Sequence, residues 1–301
     1  MSKIIITGGS GMVGSLLHGD IKLGSKDVDL TNQQQVKDYF EKTKPTDVIH
    51  CAAKVGGVKG NMGHMGEYYY DNVMINTNVI HESYKNGVKN LVCFLSTCVF
   101  PDNVEYPLSP EKIYLGPPHS SNYGYAYSKR MALTQIEAYR NQYGINYKSV
   151  IPCNIYGPND NFSLEHGHVI PMLIHKCFLA KQENKPLRIW GRGNALREFI
   201  YCEDVAKITD WVLKNYEDSE PLILSTSVEI SIKELVNIIV KAFNFEGEII
   251  YDTTKPEGQL RKPSDNSRLK ELLPEFEFTP IEIGIQKTVE WFVENYNTAR
   301  K

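Results

Sequence analysis

The chain has 301 residues, with 33 lysines and arginines against 36 aspartates and glutamates; the net charge of -3, without a run of one sign, excludes a nucleic-acid or anionic-membrane footprint. That length allows one large domain or two unequal ones. Its six cysteines lack the short repeated spacings of a disulfide framework or a zinc site, which points to a reducing compartment.

"MSKIIITGG" runs straight into a strand and no apolar stretch is long enough to cross a bilayer, so a cytosolic, unprocessed chain is expected. "KIIIT" (3–7), "DVIHCAA" (47–53) and "NLVCFLS" (90–96) are almost continuously apolar, the pattern of strands covered on both faces. Between them "TNQQQVKDYFEKTKP" and "NVMINTNVIHESYKNG" carry helical spacing, the second closed by Asn-Gly. A long helix is expected through "SKRMALTQIEAYRNQYG" and a strand in "NYKSVIPCNIYG". Strand and helix in alternation predict an α/β fold: a Rossmann-like parallel sheet with helices on both faces. After Gly157 the texture becomes mixed. A turn-rich stretch leads into a helix with Pro171 in its first turn, then short strands ("PLRIW", "PLILST", "GEIIYD"), the helix "SIKELVNIIVKAF" and a terminal amphipathic segment. A smaller C-terminal substrate-binding lobe is expected there, with residues 1–157 mainly nucleotide-binding, 158–301 mainly the lobe, and some segments returning to the first part.

"TGGSGMVG" places Gly8, Gly11 and Gly14 directly after the first strand, where a tight turn lets backbone N–H groups approach a pyrophosphate. Three glycines can also serve only a turn; the strand before them favours the dinucleotide. Only "SLLHGDIKLGSKDVDL" separates Gly14 from Thr31, too little for an ordinary helix, a strand and two loops. The expectation is a first βαβ unit unusually short after Gly14, with its helix clipped after Leu17 or a segment absent, and its usual second strand missing. Ser25 and Lys26 stand near where a 2′-phosphate would need them, although each alone reads as a solvated loop residue.

"YAYSK" sets Tyr125 and Lys129 at i and i+4 on one helix face. The pattern recurs at Tyr251 and Lys255, which reads as a turn after a strand. At Tyr125 it is accompanied by the glycine turn and by Ser96 at a strand end. A lysine beside a phenol is expected to lower its pKa towards neutrality, and Ser96 to hold the substrate oxygen that changes protonation. The bland readings are a helix stem for Tyr125 and a satisfied strand end for Ser96.

These features resemble the extended short-chain dehydrogenase/reductase family, and "AAKVGGV", "LSTCVFP", "GPPHSSNYGYAYSKRM", "IPCNIYGPNDNF", "GHVIPMLIHK", "WGRGNALREFIY" and "KPEGQLRK" extend the resemblance over nearly the whole chain. They match a branch that acts on GDP-4-keto-6-deoxy-D-mannose, inverting C3 and C5 and reducing the C4 ketone with NADPH. Dehydratases of the family commonly have an Asp-Glu pair after the strand-end threonine. Here Cys98 and Val99 follow Thr97, which argues against dehydration.

Inverting a carbon next to a ketone needs proton removal on one face and return on the other, hence two groups beyond Tyr125. The resemblance implies Cys98 as base and His168 as acid. Cys98 alone reads as a small buried hydrophobe, and His168 has rivals in His166, a loop residue, and His175, a packing residue. His50, His64 and His81 carry no support. For NADP(H) the resemblance implies contacts from Gly8, Gly9, Ser10, Gly11, Met12, Val13 and Gly14, from Lys26, Ala52 and Ala53, from Lys129, from Pro152, Cys153, Asn154 and Ile155, and from His168. For the GDP-sugar it implies Lys176, Trp190, Arg197, Glu257 and Lys262, with Glu257 where the family usually has aspartate. Lys176 also reads as a solvated helix lysine and Trp190 as core; Asp204 reads as a structural carboxylate. No metal is expected. A homodimer built on the helix of Tyr125 and its neighbour is implied. The alternatives are another nucleotide-sugar epimerase or reductase, or a non-catalytic binding isoform with an impaired cofactor site.

Overall fold

The computed structural model describes residues 2–254 and 259–301, with Val58 and Lys59 described by their backbone alone. The first half builds β1 (Ile4–Thr7), β2 (Ile21–Leu23), α1 (Gln33–Thr43), β3 (Asp47–His50), α2 (Val58–Gly63), α3 (Met65–Lys85), β4 (Asn90–Phe94), α4 (Tyr123–Tyr143) and β5 (Asn146–Pro152). With β9 (Leu222–Leu224) from the second half these strands form a six-stranded sheet in the order β2-β1-β3-β4-β5-β9, parallel throughout.

The apolar runs expected of two-sided strands sort as the pleat requires. Val48, Leu91, Tyr147 and Ile151 face a cluster with Val36 and Phe40 of α1, Val79 and Ile80 of α3, and Leu133 and Ile136 of α4. Ile49, Val92 and Val150 face the opposite cluster, which includes Val205, Ile208 and Val212 of α6 (Cys202–Asn215). α1 starts on Asn32, whose side chain accepts from Gln35 N, and α4 stops on Gly144 in the left-handed region.

Between β1 and β2 the structure corrects the expectation in two ways. No helix forms, clipped or otherwise: residues 8–17 are turns and bends. The second strand is nevertheless present, three residues long, with Ile5 opposite Ile21 and Thr7 opposite Leu23. Dispensing with the helix leaves enough chain for a parallel return. The face is covered by Val13 and Leu17, 7% and 1% exposed, which join the core of Ile6 and α6. His18 Nδ1 lies 2.6 Å from Asp210 of α6.

"NYKSVIPCNIYG" yields two strands. After β5 the chain passes through Cys153 into β6 (Asn154–Tyr156), which belongs to a second sheet, β10-β8-β6, with β8 (Leu196–Tyr201) and β10 (Glu229–Ser231). Around it lie α5 (Val169–Glu183), β7 (Leu187–Trp190), α7 (Ile232–Phe243), β11 (Ile249–Asp252), α8 (Ser267–Leu272) and α9 (Ile281–Glu294). β7 pairs with β11, and Phe162 stacks on Phe292 of α9 with ring centres 4.3 Å apart. Among the described residues no helix is long and apolar enough to cross a membrane.

Candidate active site

Apart from Lys129 on α4 and His168 at the start of α5, the residues singled out for the cofactor gather at the carboxyl ends of strands of the main sheet. The glycine turn follows β1, Lys26 follows β2, Ala52 and Ala53 follow β3, and Pro152 to Ile155 span the end of β5 and the start of β6. The order β2-β1-β3 reverses direction at β1, the place where an open parallel sheet leaves a crevice. The turn is tight enough to require glycine. Gly8 has φ +71°, and a β-carbon there would stand 2.8 Å from Ala52 N; one at Gly14 would stand 2.2 Å from the Gly8 carbonyl oxygen. Met12 is partly buried against the core with Val13, so the segment Gly8 to Gly14 is a packed cradle, and it suits a pyrophosphate laid against backbone.

β4 ends at Phe94, so Ser96 and Cys98 are not alternate residues of one strand. Ser96 instead caps a single 3-10 turn, Thr97–Val99, its hydroxyl accepting from Cys98 N at 3.4 Å. That turn packs on α4, whose first turns carry Tyr125 and Lys129. Lys129 is 1% exposed; its Nζ donates to the Phe94 carbonyl at 2.7 Å and stands 5.8 Å from the centre of the Tyr125 ring.

The electrostatics correct one expectation. Burial pushes the Tyr125 phenol up, with Cys98 and Cys93 adding to the effect, so the group is held as a neutral phenol and not drawn towards phenolate. Burial likewise presses the Lys129 ammonium down. The lysine spends its hydrogen bond on Phe94 and its charge is shared among Cys51, Cys93 and Cys98. Burial raises the Cys98 thiol, opposed by the Ser96 hydroxyl, Lys262 and Lys129. Lys262 is pressed down by burial, with Cys98 pulling it back and Arg197 pushing the same way as burial. Arg197, on β8, is also held down by desolvation and donates to the Leu196 carbonyl at 2.7 Å. Ser96, Cys98, Tyr125, Lys129, Lys262 and Arg197 thus form one electrostatically connected group. Two partly buried cations that push on each other, with Asp102 the carboxylate acting on Lys262, suit an anionic ligand.

His168 is not linked to that group by any of these interactions. It occupies the N-cap position of α5 with an exposed side chain, which among the described residues makes no hydrogen bond. Asp160 lies within its electrostatic reach, 3% exposed, its Oδ2 without a hydrogen-bond partner among the described residues. His175 is buried and bonded to the Phe162 carbonyl at 2.8 Å, and His166 is exposed on the loop. Lys176 lies 5.1 Å from the centre of the Trp190 ring, and Trp190 is 48% exposed, so it is not core. Asp204 accepts from Thr279 N and Oγ1 at 2.8 and 2.9 Å. Glu257 and Lys255 lie outside the described residues, and among those described no cluster of side chains suits a metal.

Sequence reasoning passed over His50. Ala52 N donates to Thr7 Oγ1 at 3.4 Å, and Thr7 Oγ1 lies 2.7 Å from His50 Nδ1. His50 Nε2 meets Asn76 Oδ1 at 3.0 Å, and Asn76 Nδ2 donates to the Ser128 carbonyl at 3.3 Å. This buried chain joins the cofactor turn to the peptide before Lys129. Its direction assigns the tautomer: Nε2 carries the proton and Nδ1 accepts. Burial and the charge of Lys129 hold the imidazole neutral, its pKa down at about 3. The available signal was a polar residue inside an apolar strand.

Residues 4–225 match the model of the NAD dependent epimerase/dehydratase family. The chain is 46% identical to a GDP-L-fucose synthase of Dictyostelium discoideum, with 99% of this chain and 97% of that protein aligned. A GDP-L-fucose synthase of Sinorhizobium fredii is 37% identical over 97% of this chain and 96% of its own. The crystal structure of a GDP-L-fucose synthetase from Naegleria fowleri bound to NADP superposes with a TM-score of 0.94 at 43% identity, covering 100% of this chain and 95% of that one.

Proposed function

Because the chain belongs to the NAD dependent epimerase/dehydratase family, and within it to the GDP-L-fucose synthases, we propose that it converts GDP-4-keto-6-deoxy-D-mannose to GDP-L-fucose. The observation that carries this reading is Cys98 on the 3-10 turn after β4, beside Ser96, Tyr125 and Lys129, where a dehydratase would place a carboxylate pair.

Residues 1–157 mainly hold NADP(H) and residues 158–301 mainly hold the sugar nucleotide. The Gly8–Gly14 cradle takes the pyrophosphate, with Ala52, Ala53 and the segment Pro152 to Ile155 along the crevice, and Lys26 at the 2′-phosphate. NADPH, when bound, supplies the hydride that reduces the C4 ketone. Cys98, as thiolate, takes the proton from C3 and later from C5, and the resulting negative charge rests on the C4 oxygen as an enolate. Ser96 and Tyr125 hold that oxygen with their hydroxyls. His168 returns a proton from the opposite face. Once both centres are inverted, Tyr125 gives its proton to the C4 oxygen; the burial that keeps the phenol protonated supports this donor role. Arg197 and Lys262 meet the diphosphate, and Lys176 and Trp190 the rest of the GDP. Glu257 belongs to the same substrate group by its place in the sequence.

A cytosolic homodimer completes the proposal, built on α3 and α4. Tyr69, Tyr70, Tyr123 and Met131 are exposed on these two helices, more apolar surface than a solvated face requires.

The test is to incubate the chain with GDP-4-keto-6-deoxy-D-mannose and NADPH, follow NADPH absorbance and assign the product by NMR. Consumption of NADPH with inversion at C3 and C5 is expected. Reduction with both centres unchanged would make it a plain 4-ketoreductase.

A further inference from the structure

The segment 259–266 carries Lys262, and two carboxylates from directly opposed positions of β8 and β10 hold it on either side of that lysine. Glu229 takes Arg261, with Nε 2.7 Å from Oε2 and 3.0 Å from Oε1. Glu198, 2% exposed, takes Ser264: the backbone N–H lies 3.1 and 3.2 Å from its two oxygens, and the hydroxyl donates to Oε2. The carbonyl of Glu198 accepts from Asn154 Nδ2 at 2.7 Å, and its chain neighbour is Arg197. One residue therefore touches the cofactor crevice, adjoins a substrate cation and grips the segment that bears the other. The segment is also fixed from the main-sheet side. Leu108 N donates to the Pro263 carbonyl and Asp265 N to the Leu108 carbonyl, both at 2.8 Å, and Gln259 Nε2 donates to the Asp102 carboxylate.

A buried carboxylate costs free energy unless its oxygens are filled, and Glu198 fills them with Ser264 of the loop and with Ser225 after β9, not from its own sheet. An apolar residue would serve the fold of β8 equally well. The carboxylate serves the loop as an acceptor: with Arg261 and Ser264 both fixed, the backbone on either side of Lys262 is held, and the Lys262 charge acts on Cys98 and Arg197.

We propose that Glu198 is a positioning residue of the epimerising site: by holding Ser264 it sets Lys262 against Cys98 and keeps that thiol competent as a base. The inference rests on the function proposed above. Glu198 acts only through Lys262, and Glu229, held by an exposed arginine, supplies the weaker of the two anchors.

The test begins without substrate. The pH dependence of Cys98 alkylation by iodoacetamide is followed by peptide mass spectrometry in the parent chain and in Glu198→Ala, Glu198→Gln, Lys262→Met and the double variant Glu198→Ala/Lys262→Met. Loss of the Glu198 grip should move the alkylation midpoint up by about half to one pH unit. Glu198→Gln, which still offers an acceptor to Ser264, should restore most of it. Lys262→Met should give the same upward shift, and the double variant no more than either alone. With substrate, KM for the GDP-sugar should rise about tenfold in Glu198→Ala while NADPH affinity holds within about twofold. If Glu198→Ala does not fold, Ser264→Ala removes the hydroxyl contact alone and should give a smaller shift of the same sign. A lowered melting temperature with the parent's alkylation midpoint would reduce Glu198 to a structural group and overturn the proposal. Variants that show the alkylation shift, with a parent chain that neither inverts nor reduces the sugar, would instead overturn the proposed reaction.

Discussion

The Lys129 ammonium donates to the Phe94 carbonyl at 2.7 Å while standing 5.8 Å from the centre of the Tyr125 ring. The lysine therefore fastens the first turns of α4 to the end of β4, and acts on Tyr125 through the fixed position of the helix. Lys129→Met should leave the Phe94 carbonyl unpaired in the interior and cost about 1–3 kcal/mol of stability along with activity. Tyr125→Phe should leave melting and NADPH affinity almost unchanged while cutting turnover about 10²–10⁴-fold. Normal turnover in the phenylalanine variant, read by NADPH absorbance, would remove Tyr125 from the reaction.

Cys98 and His168 come from different elements, a 3-10 turn and the start of α5. With the nicotinamide omitted, the parent chain in D₂O should incorporate deuterium at C3 and C5. Cys98→Ser should slow this about 10²-fold or more, because a hydroxyl does not ionise near neutrality. His168→Asn should impair inversion and, with NADPH present, release some product reduced before it is epimerised. NMR separates these outcomes; undiminished exchange in both variants would return the two residues to packing roles.

His50 makes acid stability a readout of the buried chain. Its pKa is about 3 in the fold and about 6.5 when unfolded, so between those values the unfolded chain binds the extra proton. Stability from this group is fully present above about pH 6.5 and is lost as the pH falls towards 3, by at most about 1.4 kcal/mol per pH unit. His50→Gln should be less stable at neutral pH yet show a flatter decline between about pH 6.5 and 4 in urea titrations. A decline as steep as the parent's would place the acid sensitivity elsewhere.

Much of the main sheet is legible in the sequence because its strands are apolar on both faces, and the helices over them keep strong spacing and clear stops. β8 and α6 were not recognised, since "REFIYCEDVAKITDWV" carries charge into a buried strand with Glu198 and runs without a break into the helix. The shortness of the unit after Gly14 was legible from length alone, but the complete absence of its helix was not. The survival of β2 was not, because the count assumed a helix that the turn dispenses with. In the site, single-residue chemistry pointed to Ser96, Tyr125 and Lys129, whereas the direction of the Tyr125 shift depended on burial and on where Lys129 spends its hydrogen bond. His50 and Asn76 act only as a pair from separate elements, which spacing cannot reveal.

Leu17 does part of the covering that a helix would otherwise do. It is 1% exposed beside Ile6, Val13 and the face of α6. Leu17→Ala should destabilise the chain by about 2–4 kcal/mol, as for a core leucine that leaves a cavity. A change under about 1 kcal/mol in chemical denaturation would mean the segment is a loose loop.

The α3 and α4 face offers a direct test of assembly. Met131→Glu, alone or with Tyr70→Glu, should convert a dimer to monomer in sedimentation equilibrium without altering melting of the isolated subunit by more than about 1 kcal/mol. A parent chain that sediments as a monomer at micromolar concentration would remove the dimer from the proposal.

The passage from β5 through Cys153 into β6, and the return of β9 to the edge of the main sheet, bear on how the chain is made. A nascent chain cannot finish its first sheet until residue 224 has left the ribosome, by which point β6, α5, β7, β8 and α6 have already been synthesised. No stopping point before residue 224 yields the complete main sheet: truncation near residue 157 strips it of β9 and of α6, which covers one of its faces. Whatever order the parts form in, the last edge strand closes the main sheet on segments already made, so the chain should emerge and be degraded as one cooperative body.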